Sequence, residues 1–301
     1  MKTQYQWLFE VPSSAPTANL LNWELKDTQV QLEFEAGSPE HRRSITYARD
    51  RCKNPGTKPC PSIPSLLTVT EINGIPFEYP NKGSIRRNPT TQLYSVSSDR
   101  QINRKQQFVP SVRNALSLFV QNMRQFGMPI EAILTAGSLY CRCITGTDNL
   151  SNHSFGDAID IVGVRWAVNQ GPTSRVRETI VHNFQDPEQR ALLRRINACL
   201  RLSFATVIDY NYKKDHQDHF HCDMNRGQGR ILTGNTTLVF LREALSHILQ
   251  SPISPNPKTW KTDTQKALQI FSSEGSSLFS QANRQQLSRV VDQLFEQVAR
   301  G

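Results

Sequence analysis

Three of the chain's seven histidines fall within one short stretch, Asp215-His216-Gln217-Asp218-His219-Phe220-His221-Cys222-Asp223. Read as extended chain, the stretch puts His219 and His221 on one face, because side chains alternate along a strand. Upstream lies a second chemical segment, Ser151-Asn152-His153-Ser154-Phe155-Gly156-Asp157-Ala158-Ile159-Asp160. His153, Asp160 and His221 together offer two imidazoles and one carboxylate, a ligand set suited to a catalytic Zn2+ with its fourth position left to water. His153 and Asp160 are separated by a turn kept small by Gly156 and Ala158, so both can reach one metal. A site of three protein ligands leaves His216 and His219 over, as general base and as donor to the transition state, with Asp218 a rival base. Arg142, in the loop before the first segment, could grip a substrate carboxylate or carbonyl with its fork of donors. Each residue alone has an ordinary reading, as loop histidine, turn aspartate or surface arginine. Their joint occurrence points to metal chemistry.

Stepping along the chain, residues 4–11 and 28–35 alternate like strands, and Ser38-Pro39-Glu40 reads as a helix start that 44–52 could continue. Residues 52–106 are rich in turn formers, with a strand expected over 66–72. Ser111 is the expected cap of a helix whose apolar stripe is Val112, Ala115, Leu116, Phe119, Val120, Met123 and Phe126, ending at Gly127. Strands are expected at 130–136 and 158–164, the second carrying Asp160. Asp186-Pro187-Glu188-Gln189 opens a helix to about 202, with cap, proline and capping-box glutamine in place. Strands at 205–208 and 219–224 close this part. The mixture lacks strict alternation of strand and helix, which argues for α+β. Three amphipathic patterns at 236–250, 259–273 and 281–299 form a separate small helical domain. The chain thus divides into a β-rich extension (1–43), a main domain (44–230) and a three-helix domain (231–301). Tyr140 and Tyr210 read as packing residues.

Lysine and arginine total 35 against 26 acids, a net charge of +9. That charge serves solubility or an anionic partner: nucleic acid, a membrane surface or a wall polymer. No basic run or aromatic–basic motif favours nucleic acid, so none is expected. No run of about eighteen apolar residues suggests a membrane span. Cys52 and Cys60 flank a turn-rich loop that a disulfide would close usefully, and disulfides imply an oxidising workplace. The first ten residues lack the apolar core of a Sec signal peptide. The expectation is a leader already removed, or another route out of the cytoplasm.

Ser-x-His-x-x-Gly-x-Ala-x-Asp at 151–160 followed by Asp-His-Phe-His at 218–221 resembles the LAS metallopeptidases, which include D-Ala-D-Ala carboxypeptidases and murein endopeptidases. Gly137-Ser138-Leu139-Tyr140-Cys141-Arg142, Asn197-Ala198-Cys199, Ala205-Thr206-Val207, Asp209-Tyr210-Asn211 and His216-x-x-His219-x-His221-x-Asp223 are closer still to the bacterial extensin-like C-terminal domain family, over roughly 44–230. The resemblance implies a mixed or antiparallel sheet with flanking helices, zinc on His153, Asp160 and His221, and a Cys141–Cys199 bridge. Cys143 and Cys222 are extra and could form another. Histidines five and two residues before the last ligand, here His216 and His219, also resemble penicillin-insensitive murein endopeptidases. Thr264-x-x-Ala267-Leu268-x-x-Phe271 weakly resembles three-helix peptidoglycan-binding modules, with a helical cap or an export-docking surface as the alternatives.

The function these readings imply is a zinc metallopeptidase acting outside the cytoplasm, in the periplasm, the wall or a target cell. It would cut a peptide bond of peptidoglycan, as endopeptidase or carboxypeptidase. Its other expected partners are export machinery or an immunity protein. The rival is a non-catalytic wall-binding or adaptor protein on the same scaffold.

Overall fold

A computed structural model describes residues 63, 65–80, 84–97, 100–144, 147, 149–168, 175–212, 214–224, 235–253, 260–272 and 284–301. The elements expected within 1–52, and Cys52 and Cys60, lie outside these residues. The described chain begins with seven short strands: β1 (Leu67–Val69), β2 (Glu71–Ile72), β3 (Ile75–Tyr79), β4 (Ile85–Arg87), β5 (Tyr94–Val96), β6 (Gln101–Ile102) and β7 (Gln106–Phe108). Helix α1 (Pro110–Gln125) leads to β8 (Ile130–Gly137), β9 (Ala158–Val168) and β10 (Arg175–Ile180). Helix α2 (Pro187–Ser203), β11 (Thr206–Ile208) and β12 (Phe220–Asp223) precede three further helices, α3 (Asn235–Ile248), α4 (Trp260–Ser272) and α5 (Arg284–Arg300). The class is α+β. No described helix is long and apolar enough to cross a membrane.

The main sheet runs β11-β12-β9-β8-β3-β2, with β10 also on β9 and β6 on β3. Only the β3–β8 pairing within it is parallel. β9 holds the site together. Its first residues pair with β12 and its later ones with β10, while β8 runs along its other edge. Partners on both sides explain why β9 continues to Val168, beyond the expected end at 164: Val164, Trp166 and Ala167 remain buried under β8 and β10.

The apolar stripe of α1 is buried as its spacing requires. Its cap is Val109, however, not Ser111. Pro110 at the first helical position has no N–H to satisfy, so the helix starts two residues earlier. Ser111 then sits inside the first turn, its hydroxyl buried without a hydrogen-bond partner. Asp186 does cap α2, accepting from the Gln189 amide at 2.9 Å. The reciprocal half of the capping box is not made, because the Asp186 amide already donates to the Asn183 carbonyl at 3.0 Å.

Helices α3 and α5 bury Leu238, Phe240, Leu241, Leu245, Val291, Leu294 and Phe295 in the same apolar core as Leu193, Ile196 and Leu200 of α2. Phe240 and Phe295 meet with ring centroids 5.4 Å apart. Each such side chain, fully withdrawn from water, contributes about 1.5–3 kcal/mol. Polar ties run alongside. Arg195 donates to the Ala299 carbonyl at 2.8 Å and to the Phe126 carbonyl at 2.7 Å. Arg201, buried against Asp209 at 2.9 Å, also reaches the Thr236 carbonyl of α3 at 3.1 Å.

The cysteines correct one expectation. Cys199 and Cys222 are buried free thiols, so neither Cys141–Cys199 nor Cys143–Cys222 is a bridge. The reason is geometric. Cys222 follows His221 on β12 and so points to the opposite face of the sheet, into the core it shares with Cys199. Cys141 and Cys143 lie on the loop at the site's mouth and are each disulfide-bonded.

Candidate metal centre

His153, Asp160 and His221 converge, as the sequence expectation has it. Asp160 and His221 are direct cross-strand partners on β9 and β12, with Asp160 also opposite Gly137 of β8. The register of β8 on β9 shifts between Thr135 and Gly137, an irregularity of the kind that re-aims side chains beside functional sites. Thr135, fully buried, bridges it: its hydroxyl donates to the Asp160 carbonyl at 2.8 Å and accepts from the Gly137 amide at 2.9 Å. His153 arrives from outside the sheet on a short 3-10 turn, Asn152–Phe155. That turn closes at Gly156 with φ +65°, and a Cβ there would lie 2.6 Å from Leu66. The left-handed backbone is what favours glycine here, while the Leu66 methyl, at the end of a flexible side chain, would have to move aside.

The hydrogen bonds decide which nitrogen of each histidine is bare. His153 Nδ1 lies 2.7 Å from the Ser138 carbonyl. A carbonyl can only accept, so Nδ1 carries the proton and Nε2 presents a lone pair. His221 Nε2 lies 3.2 Å from the buried Asp223 carboxylate, which leaves its Nδ1 bare in turn. These two lone pairs meet Asp160 Oδ1: 3.0 Å from His153 Nε2, 3.1 Å from His221 Nδ1, with the two nitrogens 3.0 Å apart. Three acceptors turned on one point in a buried pocket repel one another unless a cation lies among them. Burial by itself would lower the His221 pKa, yet the Asp160 and Asp223 carboxylates outweigh it and raise it to about 9, so without a metal a proton takes the cation's place on Nδ1 at neutral pH, and metal binding must displace it. Burial would likewise raise Asp160, and the imidazoles of His153 and His221 beside it instead hold it well below the usual carboxylate range. The pocket attracts positive charge, and its donor set fits a divalent metal with nitrogen and oxygen ligands. Outer-shell acceptors that fix the tautomers, here Ser138 and Asp223, are what such a centre needs.

The remaining expected residues ring the trio. His219 Nε2 stands 3.6 Å from Asp160 Oδ1, and its Nδ1 is 2.6 Å from Asp218. His216 is paired with Asp215 at 2.9 Å, and its ring lies 5.0 Å from that of His219. The His219 hydrogen bond, opposed by partial burial, lowers the pKa of Asp218, which suits an orienting partner better than a base. Arg142 brings Nη2 to 3.8 Å from Asp160 Oδ2, with its side chain more than half exposed. Its loop is fixed by Ser154, whose hydroxyl accepts from the Arg142 amide at 3.0 Å and faces the Arg142 and Tyr140 carbonyls at 2.9 and 3.1 Å. Tyr210 packs, stacked on Phe184 at 5.3 Å. Tyr140 lies closer to the chemistry, its ring 5.5 Å from that of His153. Sequence reasoning missed Thr135, Ser138, Ser154 and Asp223. Asp223 was findable, since two residues beyond a ligand on a strand is the same face. The Ser138 carbonyl was not, because any residue supplies one.

Residues 91–232 match the model of a family described as Extensin-like protein C-terminus. The match takes in every residue of the trio and its surroundings. No curated protein and no solved structure matches the chain.

Proposed function

We propose that the protein is a zinc-dependent peptidase that cuts a peptide bond of bacterial peptidoglycan, in the stem or the cross-link, outside the cytoplasm. The observation that carries this reading is the trio of bare acceptors on His153, Asp160 and His221, with a further imidazole at 3.6 Å. When bound, zinc supplies a Lewis acid for the scissile carbonyl and lowers the pKa of water.

The protein's own groups supply the rest. The Asp218 carboxylate accepts the hydrogen bond of His219 Nδ1–H, which leaves Nε2 facing the reaction to accept a proton and return it to the departing amine. His216, paired with Asp215 through Nδ1, donates to charge developing on the substrate oxygen as the imidazolium, a form that burial opposes and Asp215 favours. Arg142, reaching over Asp160 from an anchored loop, holds a substrate carboxylate or carbonyl. A cleft of about 690 Å³ runs along the 214–218 segment, lined by Tyr94, His182, Lys214, Asp215 and Asp218 among others, and it reaches the two carboxylates that pair with His216 and His219 but not the trio itself. The net charge of +9 favours a wall rich in carboxylates.

Incubation of metal-loaded protein with purified sacculi, followed by mass spectrometry of the released fragments, tests the proposal. New amino and carboxyl termini at one kind of peptide bond are expected, and their loss with His221→Ala. Sacculus binding without any new terminus, on sacculi and soluble muropeptides alike, would replace the peptidase with a wall-binding adaptor.

A further inference from the structure

His182 sits on the short 3-10 turn Val181–Asn183, directly after β10. Two hydrogen bonds fix the wall around it: the Tyr94 amide donates to Asn183 Oδ1 at 2.7 Å, and Asn183 Nδ2 donates to the Tyr94 carbonyl at 2.8 Å. They dock β5 against the turn, and the Tyr94 ring lies 4.9 Å from that of His182. Both rings line the cleft of about 690 Å³, together with Asp218. His216 and His219 each have a carboxylate partner. His182 has no such partner among the described residues, and its Nδ1 is buried without a hydrogen bond. Burial, aided by His219 and opposed by Asp218, lowers its pKa, so the ring is neutral near neutral pH and carries a single N–H. A buried N–H without an acceptor is harder to tolerate than a bare lone pair, which puts that proton on Nε2. Nε2 is then the donor this ring has left for the cleft.

We propose that His182 is a positioning residue for the peptide substrate, its Nε2–H donating to an amide carbonyl of the chain that lies in this cleft. The identity of that chain rests on the proposed peptidoglycan peptidase. Asp218 supplies the complementary acceptor on the same cleft: it holds His219 through Oδ1, and a carboxylate has lone pairs for a further donor. An amide brings both a C=O and an N–H and so matches the two groups together. A carboxylate brings no donor and matches only one.

Digestion of a soluble cross-linked muropeptide by the metal-loaded full chain tests this through KM; where no bond is cut, isothermal titration reads the same contact as Kd. His182→Phe keeps a ring against Tyr94 and removes both nitrogens. It should raise KM or Kd about tenfold with kcat within about twofold, because His182 does not touch the reacting atoms. Its melting point should be no lower than the parent's, since the unpartnered Nδ1 is gone. His182→Gln, whose amide donates from about the place of Nε2, should bring the constant back to within about threefold of the parent. Cleavage by His182→Phe with the parent's KM would overturn the inference and leave the peptidase standing. The expected pattern in Kd without any cleavage would do the reverse. No recovery by His182→Gln, or a parent that neither cuts nor saturably binds the muropeptide, would also overturn it.

Discussion

The Asp223 carboxylate and the Ser138 carbonyl each accept a hydrogen bond from one ligand histidine, and so turn the other nitrogen of each ring toward Asp160. Removing such an acceptor frees the ring to turn and to change tautomer. Asp223→Ala should therefore weaken metal binding about 10–100-fold, read by competition with a chromogenic chelator. An unchanged affinity would mean that strand geometry alone orients His221. His219→Ala tests the other side of the division of labour. Its ring is held by Asp218 at Nδ1 and stands beside the trio rather than within it, so zinc content should stay near one per chain while turnover falls about a hundredfold or more. Should only Asp218→Asn abolish turnover, the carboxylate is the base instead. Cys199 gives a plainer test: burial pushes its thiol up to about 12. It is thus protonated at every pH below that value, and iodoacetamide at pH 8 should modify it only after unfolding. The ligands were legible because His153, Asp160 and His221 belong to recognisable spacings. The cysteine pairing was not, since spacing carries no information on which face of the sheet a thiol takes.

At the scale of elements, the site is a crossing of three constraints: the β9–β12 register, the bulge bridged by Thr135, and the tight turn ending at Gly156. Of these, only the glycine could be seen beforehand, as a small residue in a short link. The bulge is a property of two strands together and leaves no mark on either alone. The long helices were legible because α1 and α2 carry apolar residues at helical spacing over 16 and 17 residues. Strands of two or three residues such as β4, β5 and β6, within a stretch read as turn-rich, offer too few positions for alternation to register. The start of α1 was misread because Pro110 outweighed Ser111, whereas Asp186 caps α2 as expected and lacks only the return bond from Gln189. Gly156→Ala is expected to lower stability by about 1 kcal/mol or more, since it imposes a left-handed backbone on alanine and drives Cβ against Leu66. The loss should appear as a lower thermal midpoint together with weaker metal binding, because His153 rides on that turn.

At the scale of the molecule, the last three helices are tied to the metal-bearing part by both kinds of contact. Leu238, Phe240, Leu241 and Leu245 lie in one core with α2, and Phe240 packs on Phe295 of α5. Arg201 sits 4% exposed, with Asn197, Asp209 and the Val207 carbonyl around it, and it reaches the Thr236 carbonyl as well. Deleting everything after Gly229 would therefore bare an apolar face on α2 and strip a buried cation of one acceptor. Each exposed Leu or Phe position of that face costs about 1.5–3 kcal/mol, and several together approach the whole stability of a domain. The truncated protein is expected to be insoluble, or to melt at least 10 °C lower than the full chain, a few kcal/mol at about 2–8 °C each. A detachable wall-binding module predicts the opposite outcome: a soluble truncation with an unchanged melting point that no longer sediments with sacculi. Circular dichroism melting and a sedimentation assay on the same preparation separate the two. Phe240→Ala offers the gentler check, with an expected cost of about 3–5 kcal/mol if the helices share their core with α2 as described. A melting point within a degree or two of the parent would show that this contact contributes little, and that the three helices fold on their own.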